Sequence, residues 1–276
     1  MKAALLQICS SDNPPQNLAM MQEMLREAAG NGAGFALLPE VCNCVSTSRS
    51  HQNEVLALEE EDRTLKGLRA EAQALGIWLL IGSLGVKTRD ADGRFANRSF
   101  VIAPDGSIKA RYDKLHMFDV QVSETETFRE SDGYRPGDHA QICQTPFGAL
   151  GLSVCYDLRF AYLYRALAKA GAQILTVPAA FSPVTGAAHW EPLLRARAIE
   201  TGCYILAPAQ TGAHDLSRGK PRRTYGHAMA VAPWGEVLLD MGADAGIGYV
   251  DLSLDEVRRA RARVPALDHD RAFRGP

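Results

Sequence analysis

The sequence predicts an α/β protein, a four-layer α-β-β-α sandwich built from two similar halves. Short, almost wholly apolar strand segments alternate with helical segments, which is typical of strands buried on both faces. Segments of the first half also reappear in the second at a roughly constant offset: AGFALLPE beside AQILTVPA, GIWLLIGSLG beside GCYILAPAQTG, and VIAPDGSI beside AVAPWGEV. Two such halves bury their sheets by packing them face to face. A single doubly wound sheet is the alternative, weakened because no Gly-x-Gly-x-x-Gly follows the first strand.

The first half is predicted to run strand, helix, strand, helix, strand and hairpin. The strands are KAALLQIC, GFALLPE and IWLLIGSL, and the first helix is NLAMMQEMLREAAGNGA. The second helix, RTLKGLRAEAQALG, is expected to end at Gly76, because glycine takes the left-handed conformation common at helix C-caps. The hairpin is RSFVIAPDGSIKARYDK, with its turn at Pro-Asp-Gly.

The second half repeats this order. Its strands are GALGLSVCYD, QILTVPAA and CYILAPAQTG, and its helices are AYLYRALAKAGA and HWEPLLRARAIETG, the latter ending at Gly202. The closing hairpin is HAMAVAPWGEVLLDM, around Pro-Trp-Gly. Because neither half covers its own sheet, the two halves are expected to form one domain.

Composition excludes several classes of function. The 276 residues carry 30 basic and 32 acidic side chains, a formal charge of −2, so no nucleic-acid partner is expected. The basic run RRARAR at 258–263 is interpreted as the solvated face of a late helix. No apolar stretch approaches the roughly 20 residues of a membrane span, and the apolar run near the amino terminus is too short for the h-region of a signal peptide. The six scattered cysteines show no zinc spacing, which indicates no metal and a cytoplasmic protein with reduced thiols.

Three chemical groups follow predicted strands. Glu40 ends FALLPE, Lys114 follows the first hairpin, and Cys155 ends GALGLSVC. Ligands gather at the carboxyl ends of strands in α/β sheets, so these groups are expected to converge. A lysine lowers the pKa of a nearby thiol, a carboxylate takes its proton, and the backbone N–H of Tyr156 suits an oxyanion. Taken singly, each has a plain interpretation: a buried inert thiol, a capping glutamate and a surface lysine.

Three motifs together carry a resemblance. LLPEVCN around Glu40, YDKLHMFD around Lys114 and GLSVCYDLRF around Cys155 resemble, in order and spacing, the nitrilase superfamily of carbon–nitrogen hydrolases. The resemblance covers essentially the whole chain. It implies a single carbon–nitrogen hydrolase domain over residues 1–276, an α-β-β-α sandwich and a Glu-Lys-Cys triad, with no metal or organic cofactor. Cys155 would attack an amide or nitrile carbon with Glu40 as base and Lys114 stabilising the tetrahedral intermediate; ammonia leaves, and water hydrolyses the thioester.

The family often has a second glutamate beside the triad. The segment TFRESDGYRPGD aligns best with it at Glu130, and Glu124 and Glu126 remain alternatives. The segment VQVSETETF lacks the Pro-Gly that relatives often carry there, which leaves the geometry of this loop open.

The segments FSPVTGAAHWEPLLRARAIETGCY and RRTYGHAMAVAPWG resemble the branch of amidases acting on deaminated glutathione, which includes the Fhit-linked nitrilase-like domains. The omega-amidase branch, acting on α-ketoglutaramate, is the alternative, but its members tend to carry Trp where this chain has Tyr225. A nitrilase or an N-carbamoyl amino acid hydrolase would use the same triad.

Other predictions concern the substrate and partners. The substrate is expected to be a small-molecule amide, and the expected contacts are Tyr156, Arg159, Phe181 and Thr185. Arg195 or Arg197 is an alternative partner for a carboxylate, and His189 is interpreted as structural. The helices AYLYRALAKAG and HWEPLLRARAIE are expected to form a homodimer or higher homo-oligomer, as family members usually do.

Two competing functions remain. A catalytically retired scaffold would have lost a triad position, and none is lost. A Cys-His protease would need His116, His189 or His227 against Cys155, whereas Glu40 and Lys114 already supply the chemistry.

Overall fold

The computed structural model describes residues 1–122, 124 and 126–275. Its first sheet has the strand order β17-β1-β2-β3-β4-β5, and β8 pairs with β4 beside this path. The strands of this sheet are β1 (Lys2–Gln7), β2 (Phe35–Leu37), β3 (Trp78–Val86), β4 (Phe95–Ile102), β5 (Ile108–Asp113), β8 (Tyr134–Arg135) and β17 (Gly246–Asp251).

The second sheet has the order β16-β15-β12-β11-β10-β9. Its strands are β9 (Gln141–Thr145), β10 (Gly148–Leu152), β11 (Ile174–Thr176), β12 (Tyr204–Ala207), β15 (Met229–Val231) and β16 (Val237–Asp240). Two small hairpins stand apart from both sheets: β6 (Asp119–Gln121) with β7 (Thr127–Arg129), and β13 (Thr211–Ala213) with β14 (Arg223–Tyr225).

The helices of the described residues are α1 (Pro14–Gly30), α2 (Arg49–Val55), α3 (Arg63–Leu75), α4 (Ala161–Lys169), α5 (Pro183–Thr201) and α6 (Leu254–Arg263). Helices α1 and α3 pack on the first sheet, and α4 and α5 pack on the second. Short 3-10 turns cover Glu130–Asp132 and Cys155–Arg159. As expected, Gly76 and Gly202 end α3 and α5 in the left-handed conformation, with φ of +66° and +60°.

Side-chain alternation along the strands explains the layering. Leu5 on β1 belongs to a buried cluster shared with Leu150 of the second sheet, whereas its neighbour Leu6 packs in another cluster with Met21 of α1 and Leu68 of α3. Successive residues of a strand point to opposite faces, so one face meets the other sheet and one meets the helices. The structure is therefore a four-layer α-β-β-α sandwich.

The two halves have the predicted order, each with three parallel strands followed by an antiparallel hairpin. In the first half β1, β2 and β3 are parallel, and in the second β10, β11 and β12 are parallel. An antiparallel strand flanks each set, β17 beside β1 and β9 beside β10. Because two separate sheets exist, the doubly wound alternative is wrong.

Three local details differ from the expectations. The strand expected to run to Cys155 ends at Leu152, and a 3-10 turn begins at Cys155. Helix α5 begins at Pro183, earlier than its apolar pattern indicated. The basic run on α6 is only partly solvated, because the Arg261 guanidinium donates to the carbonyl of Ala172 at 2.7 Å. In the described part of the chain, no helix has the length and apolar character needed to cross a membrane.

Candidate active site

Three charged side chains meet in a nearly dry position. Lys114, the residue after β5, places Nζ 2.9 Å from Glu40 Oε1 and 2.8 Å from Glu130 Oε2. The Lys114 and Glu40 side chains are only 2% and 6% exposed, so these ion pairs are shielded from water. Glu130, rather than Glu124 or Glu126, is the glutamate that the structure brings to Lys114.

Cys155 lies beside this cluster at the start of the 3-10 turn. Its φ of +51° is in the left-handed region, which is uncommon for a residue with a side chain and recurs at functional sites. Its N–H donates to the carbonyl of Pro178 at 2.9 Å, which fixes the turn against the segment after β11. The thiol and the carboxylate of Glu40 line the same cavity, and Glu40 acts on the pKa of the thiol.

The electrostatics of the cluster define the resting proton positions. Burial raises the pKa of the Cys155 thiol, and the charge of Glu40 raises it further, although the ammonium of Lys114 opposes both. Burial alone would raise the pKa of Glu40, but Lys114 holds it below the ordinary value. Burial disfavours the charge on Lys114, yet Glu130 and Glu40 raise its pKa well above normal. The resting site therefore has a neutral thiol, a carboxylate and an ammonium. Lys114 lowers the pKa of the thiol as expected, but burial and Glu40 together raise it more.

Asn97 on β4 links the two glutamates and was missed at the sequence level. Its amide nitrogen donates to Glu40 Oε1 at 2.9 Å and to Glu130 Oε1 at 3.3 Å. The backbone N–H of Phe118 donates to Glu130 Oε2 at 2.7 Å. An asparagine within a strand predicted to be buried was the available signal, because buried polar groups need partners.

A cavity of about 740 Å³ opens over these groups. Residues of both halves line it, including every predicted catalytic side chain and three of the predicted contacts: Glu40, Lys114, Glu130, Cys155, Tyr156, Phe181 and Thr185. Among the described residues, no group of histidine, cysteine and acidic side chains could hold a metal ion.

The predicted arginine contacts lie elsewhere. Arg159 is not among the cavity-lining residues; its guanidinium lies 3.3 Å from His189 Nδ1 and faces the rings of Tyr156 and Phe181 from behind. Arg195 and Arg197 donate to the backbone carbonyls of Gly235 and Leu158, so both brace helix α5.

Arg222, just before β14, is the cavity-lining arginine that packs against the site's backbone. Its Nη2 donates to the carbonyl of Ala180 at 3.1 Å, and the N–H of Ala180 donates to Glu40 Oε2 at 2.8 Å. Sequence reasoning missed it because the loop before β14 has no periodicity that would place it.

Comparison with known proteins agrees with this geometry. The deaminated glutathione amidase of Yersinia enterocolitica is 40% identical to this chain over 270 residues, covering 97% of this chain and 92% of that protein. The crystal structure of the C. elegans NitFhit protein aligns with a TM-score of 0.90 at 35% identity over 98% of this chain, which spans 65% of that protein's length.

A third comparison concerns the nucleophile. The amidase from Nesterenkonia sp. AN1 aligns with a TM-score of 0.76 at 26% identity, covering 96% of this chain and 98% of that one. A structure of its mutant shows acrylamide added at the active-site cysteine by Michael addition. A family model described as Carbon-nitrogen hydrolase matches residues 2–262 of the present sequence. The chain therefore belongs to the carbon–nitrogen hydrolase family of the nitrilase superfamily.

Proposed function

We propose that this amidase hydrolyses the γ-amide of deaminated glutathione through a thioester on Cys155. The observation that carries the proposal is the shielded contact of Lys114 with Glu40 and Glu130 beside the Cys155 thiol, at the base of a cavity of about 740 Å³. A nucleophile, a base and a fixed positive charge are the groups that acyl transfer from an amide requires.

In the first half-reaction Glu40 accepts the thiol proton as sulfur attacks the amide carbon. Because the pKa of the thiol is raised, attack and proton transfer are coupled rather than preceded by a stable thiolate. The charge of Lys114 and the N–H of Tyr156 stabilise the oxyanion. The carbon–nitrogen bond then breaks, the amine leaves with the proton held by Glu40, and an acyl thioester remains.

The second half-reaction returns the resting state. Glu40, ionised again, takes a proton from water as the water oxygen attacks the thioester carbon. The carbon–sulfur bond breaks, the proton returns to sulfur, and the carboxylic acid product leaves. Glu130 keeps the ammonium of Lys114 in place throughout, since its two oxygens lie 2.9 and 2.8 Å from Nζ.

The choice of substrate is supported by the relatives' names and by Tyr225. The leaving group distinguishes the candidates: deaminated glutathione releases the amine of cysteinylglycine, whereas α-ketoglutaramate releases the ammonia that the resemblance implied. The omega-amidase activity is the second candidate, because both compounds present the same α-keto acyl group to Cys155.

The decisive experiment measures hydrolysis of deaminated glutathione, α-ketoglutaramate and a simple nitrile by the wild type and by Cys155→Ala. We expect the first to be fastest, and the variant to lose about 10⁴-fold or more in kcat. Turnover of α-ketoglutaramate alone would move the chain to the omega-amidase activity. Activity that survives Cys155→Ala would overturn the thioester mechanism.

We further propose a cytoplasmic homodimer or higher homo-oligomer. The free state of all six cysteines supports the reducing compartment. Exposed apolar side chains on the outer helices of the second half support pairing through that layer. They are Tyr162 on α4, 65% exposed, and Ile199 on α5, 57% exposed. Light scattering on the eluting protein is expected to give at least a dimer mass, and Ile199→Arg to lower it; a strict wild-type monomer would contradict the assembly.

A further inference from the structure

Three residues that line the cavity have a buried polar atom with no hydrogen-bond partner among the described residues. The atom is Oδ1, an acceptor, in Asn97, and the donors Oγ and Nε in Ser182 and Arg222. Ser182 is only 4% exposed, so its hydroxyl has little access to bulk water. Buried donors without partners are costly, and where they line a cavity they point to a ligand that completes them.

The two donors, Ser182 Oγ and Arg222 Nε, belong to residues that meet at the backbone segment after β11. Arg222 Nη2 donates to the carbonyl of Ala180, and Ser182 is two residues further along. The N–H of Tyr225 donates to the carbonyl of Phe181 at 3.0 Å, which holds the strand after Arg222 against the same segment. Because the N–H of Ala180 also donates to Glu40, this neighbourhood adjoins the reacting centre.

Helix α5 begins at this place and adds further donors. Ser182 is its N-cap residue, yet the hydroxyl makes no capping bond, and Pro183 supplies no N–H. The N–H groups of Val184 and Thr185 have no acceptors within the helix, because the first turn lacks them. The helix is 19 residues long, and its amino end carries a partial positive charge that favours an anion.

Arg222 brings a full positive charge that no acidic side chain in the described part of the chain pairs with. By contrast, Arg49, which also lines the cavity, is occupied by the carbonyls of Gly133 and Gly93. Arginine binds carboxylates through its planar set of N–H donors. Here a free N–H of Arg222 lies near the Ser182 hydroxyl and the amino end of α5, and together these donors suit a carboxylate.

We propose that Ser182, Arg222 and the amino end of α5 bind the carboxylate at the far end of the substrate's acyl chain. This inference rests on the proposed amidase function and makes the enzyme selective for half-amides of dicarboxylic acids. The acyl group stays on Cys155 after the amine leaves, so the same anchor holds it through both half-reactions. The α-keto acid end of deaminated glutathione and of α-ketoglutaramate supplies this carboxylate.

The test compares α-ketoglutaramate with 4-oxopentanamide, in which a methyl group replaces the carboxylate. For Arg222→Gln we expect kcat/KM on α-ketoglutaramate to fall about 100-fold, and for Ser182→Ala about tenfold, because each loses a bond to a buried charge. The losses on 4-oxopentanamide should be much smaller for both variants, because this amide has no carboxylate for the anchor to bind. Arg218→Gln is the matched control, since it removes the same charge from an exposed arginine of the same loop that does not line the cavity.

Equal losses on both amides, or a loss for Arg218→Gln as large as that for Arg222→Gln, would overturn the anchor. A loss on deaminated glutathione alone would place the contact on the amine side and would also overturn it. A p-nitrophenyl acetate burst from Cys155 checks that each variant is folded.

If the wild type hydrolyses neither amide, the proposed function fails but the anchor is still testable. In that case 2-oxoglutarate should protect Cys155 from iodoacetamide in the wild type and not in Arg222→Gln. Equal protection of both proteins, or of neither, would reject the anchor independently.

Discussion

Asp157 and His116 join the segment that carries Cys155 to the segment that carries Lys114, with His116 Nδ1 2.6 Å from Asp157 Oδ1. Asp157 is fully buried and also accepts from the backbone N–H of Val154 at 2.8 Å. One carboxylate therefore sets the start of the nucleophile turn and the course of the chain two residues beyond the lysine.

We expect Asp157→Asn to destabilise the protein and to misplace the nucleophile. An amide has one acceptor oxygen instead of two and adds donors facing the existing N–H groups, so the free energy of unfolding should fall by about 2 to 4 kcal/mol. A small displacement of Cys155 relative to Lys114 should lower kcat about 10- to 100-fold. Urea unfolding and amide hydrolysis measure the two effects.

The matched control is Asp138→Asn, whose side chain is 87% exposed and should change neither quantity. Wild-type kcat in Asp157→Asn would show that the connection to His116 does not position the catalytic groups.

Glu130→Gln tests how Lys114 keeps its charge. The charges of Glu130 and Glu40 raise the lysine pKa against the effect of burial, so removing one of them should lower that pKa. We expect kcat to fall about 100-fold, and the alkaline fall in kcat/KM to appear at lower pH than in the wild type. The pH profile between neutral and strongly alkaline conditions measures the shift.

Glu124→Gln is the natural comparison, because Glu124 lines the same cavity and makes no ion pair with Lys114 within the described residues. The alkaline fall in kcat/KM of Glu124→Gln should occur at the same pH as in the wild type. If the fall in Glu130→Gln also occurs at the wild-type pH, Glu130 does not support the lysine charge.

Glu40→Gln distinguishes the role of Glu40 as the base from the effect of its charge on the pKa of the Cys155 thiol. Burial and the carboxylate of Glu40 both raise the pKa of Cys155, so the neutral amide should lower it. We expect thiolate absorbance near 240 nm to appear at lower pH in Glu40→Gln than in the wild type, although amide hydrolysis falls by about 1000-fold. Subtracting the Cys155→Ala spectrum removes the contribution of the other cysteines. A thiolate that appears at higher pH would contradict this account of the site's electrostatics.

The meeting of Glu40, Lys114 and Cys155 followed from local features of the sequence. Each stands just after a strand that the sequence predicts, and ligand-binding groups gather at the carboxyl ends of strands in α/β sheets. The conformation at Cys155 did not follow, because a φ of +51° is imposed by contacts such as that with the Pro178 carbonyl, 23 residues later in the sequence. Sequence propensities describe the backbone conformation that a residue prefers by itself, and they do not predict a strained conformation that tertiary contacts impose.

The positions of Arg159 and Arg222 also depend on tertiary contacts rather than on local sequence. Arg159 was expected at the substrate because it is close to Cys155 in sequence, but the 3-10 turn directs it towards His189. Arg222 reaches the cavity through a bond to Ala180, which lies 42 residues away in sequence. No periodic pattern encodes a loop position of this kind, so only the tertiary structure places it.

His214 lies away from the reacting groups and makes the free energy of unfolding depend on pH. Its Nδ1 lies 2.7 Å from the carbonyl of Ser10 and its Nε2 2.9 Å from Thr224 Oγ1, and the residue is only 7% exposed. Burial lowers the pKa of His214 to about 4. The hairpin β13–β14 is thereby held to the end of β1 by a neutral imidazole.

This pKa makes acid destabilise the fold through His214. Between pH 6.5, the ordinary value, and about 4, the unfolded chain binds a proton that the folded chain does not, so stability falls as the pH falls. Once the pH is below both pKa values, the free energy of unfolding is lower by about 3 kcal/mol through this residue. We expect His214→Gln to flatten the pH dependence of urea midpoints across this range, even though its stability at neutral pH is lower. The exposed His139→Gln should keep the wild-type slope. An unchanged slope in His214→Gln would show that acid loosens the protein through other groups, since glutamine cannot take up the proton that histidine binds on unfolding.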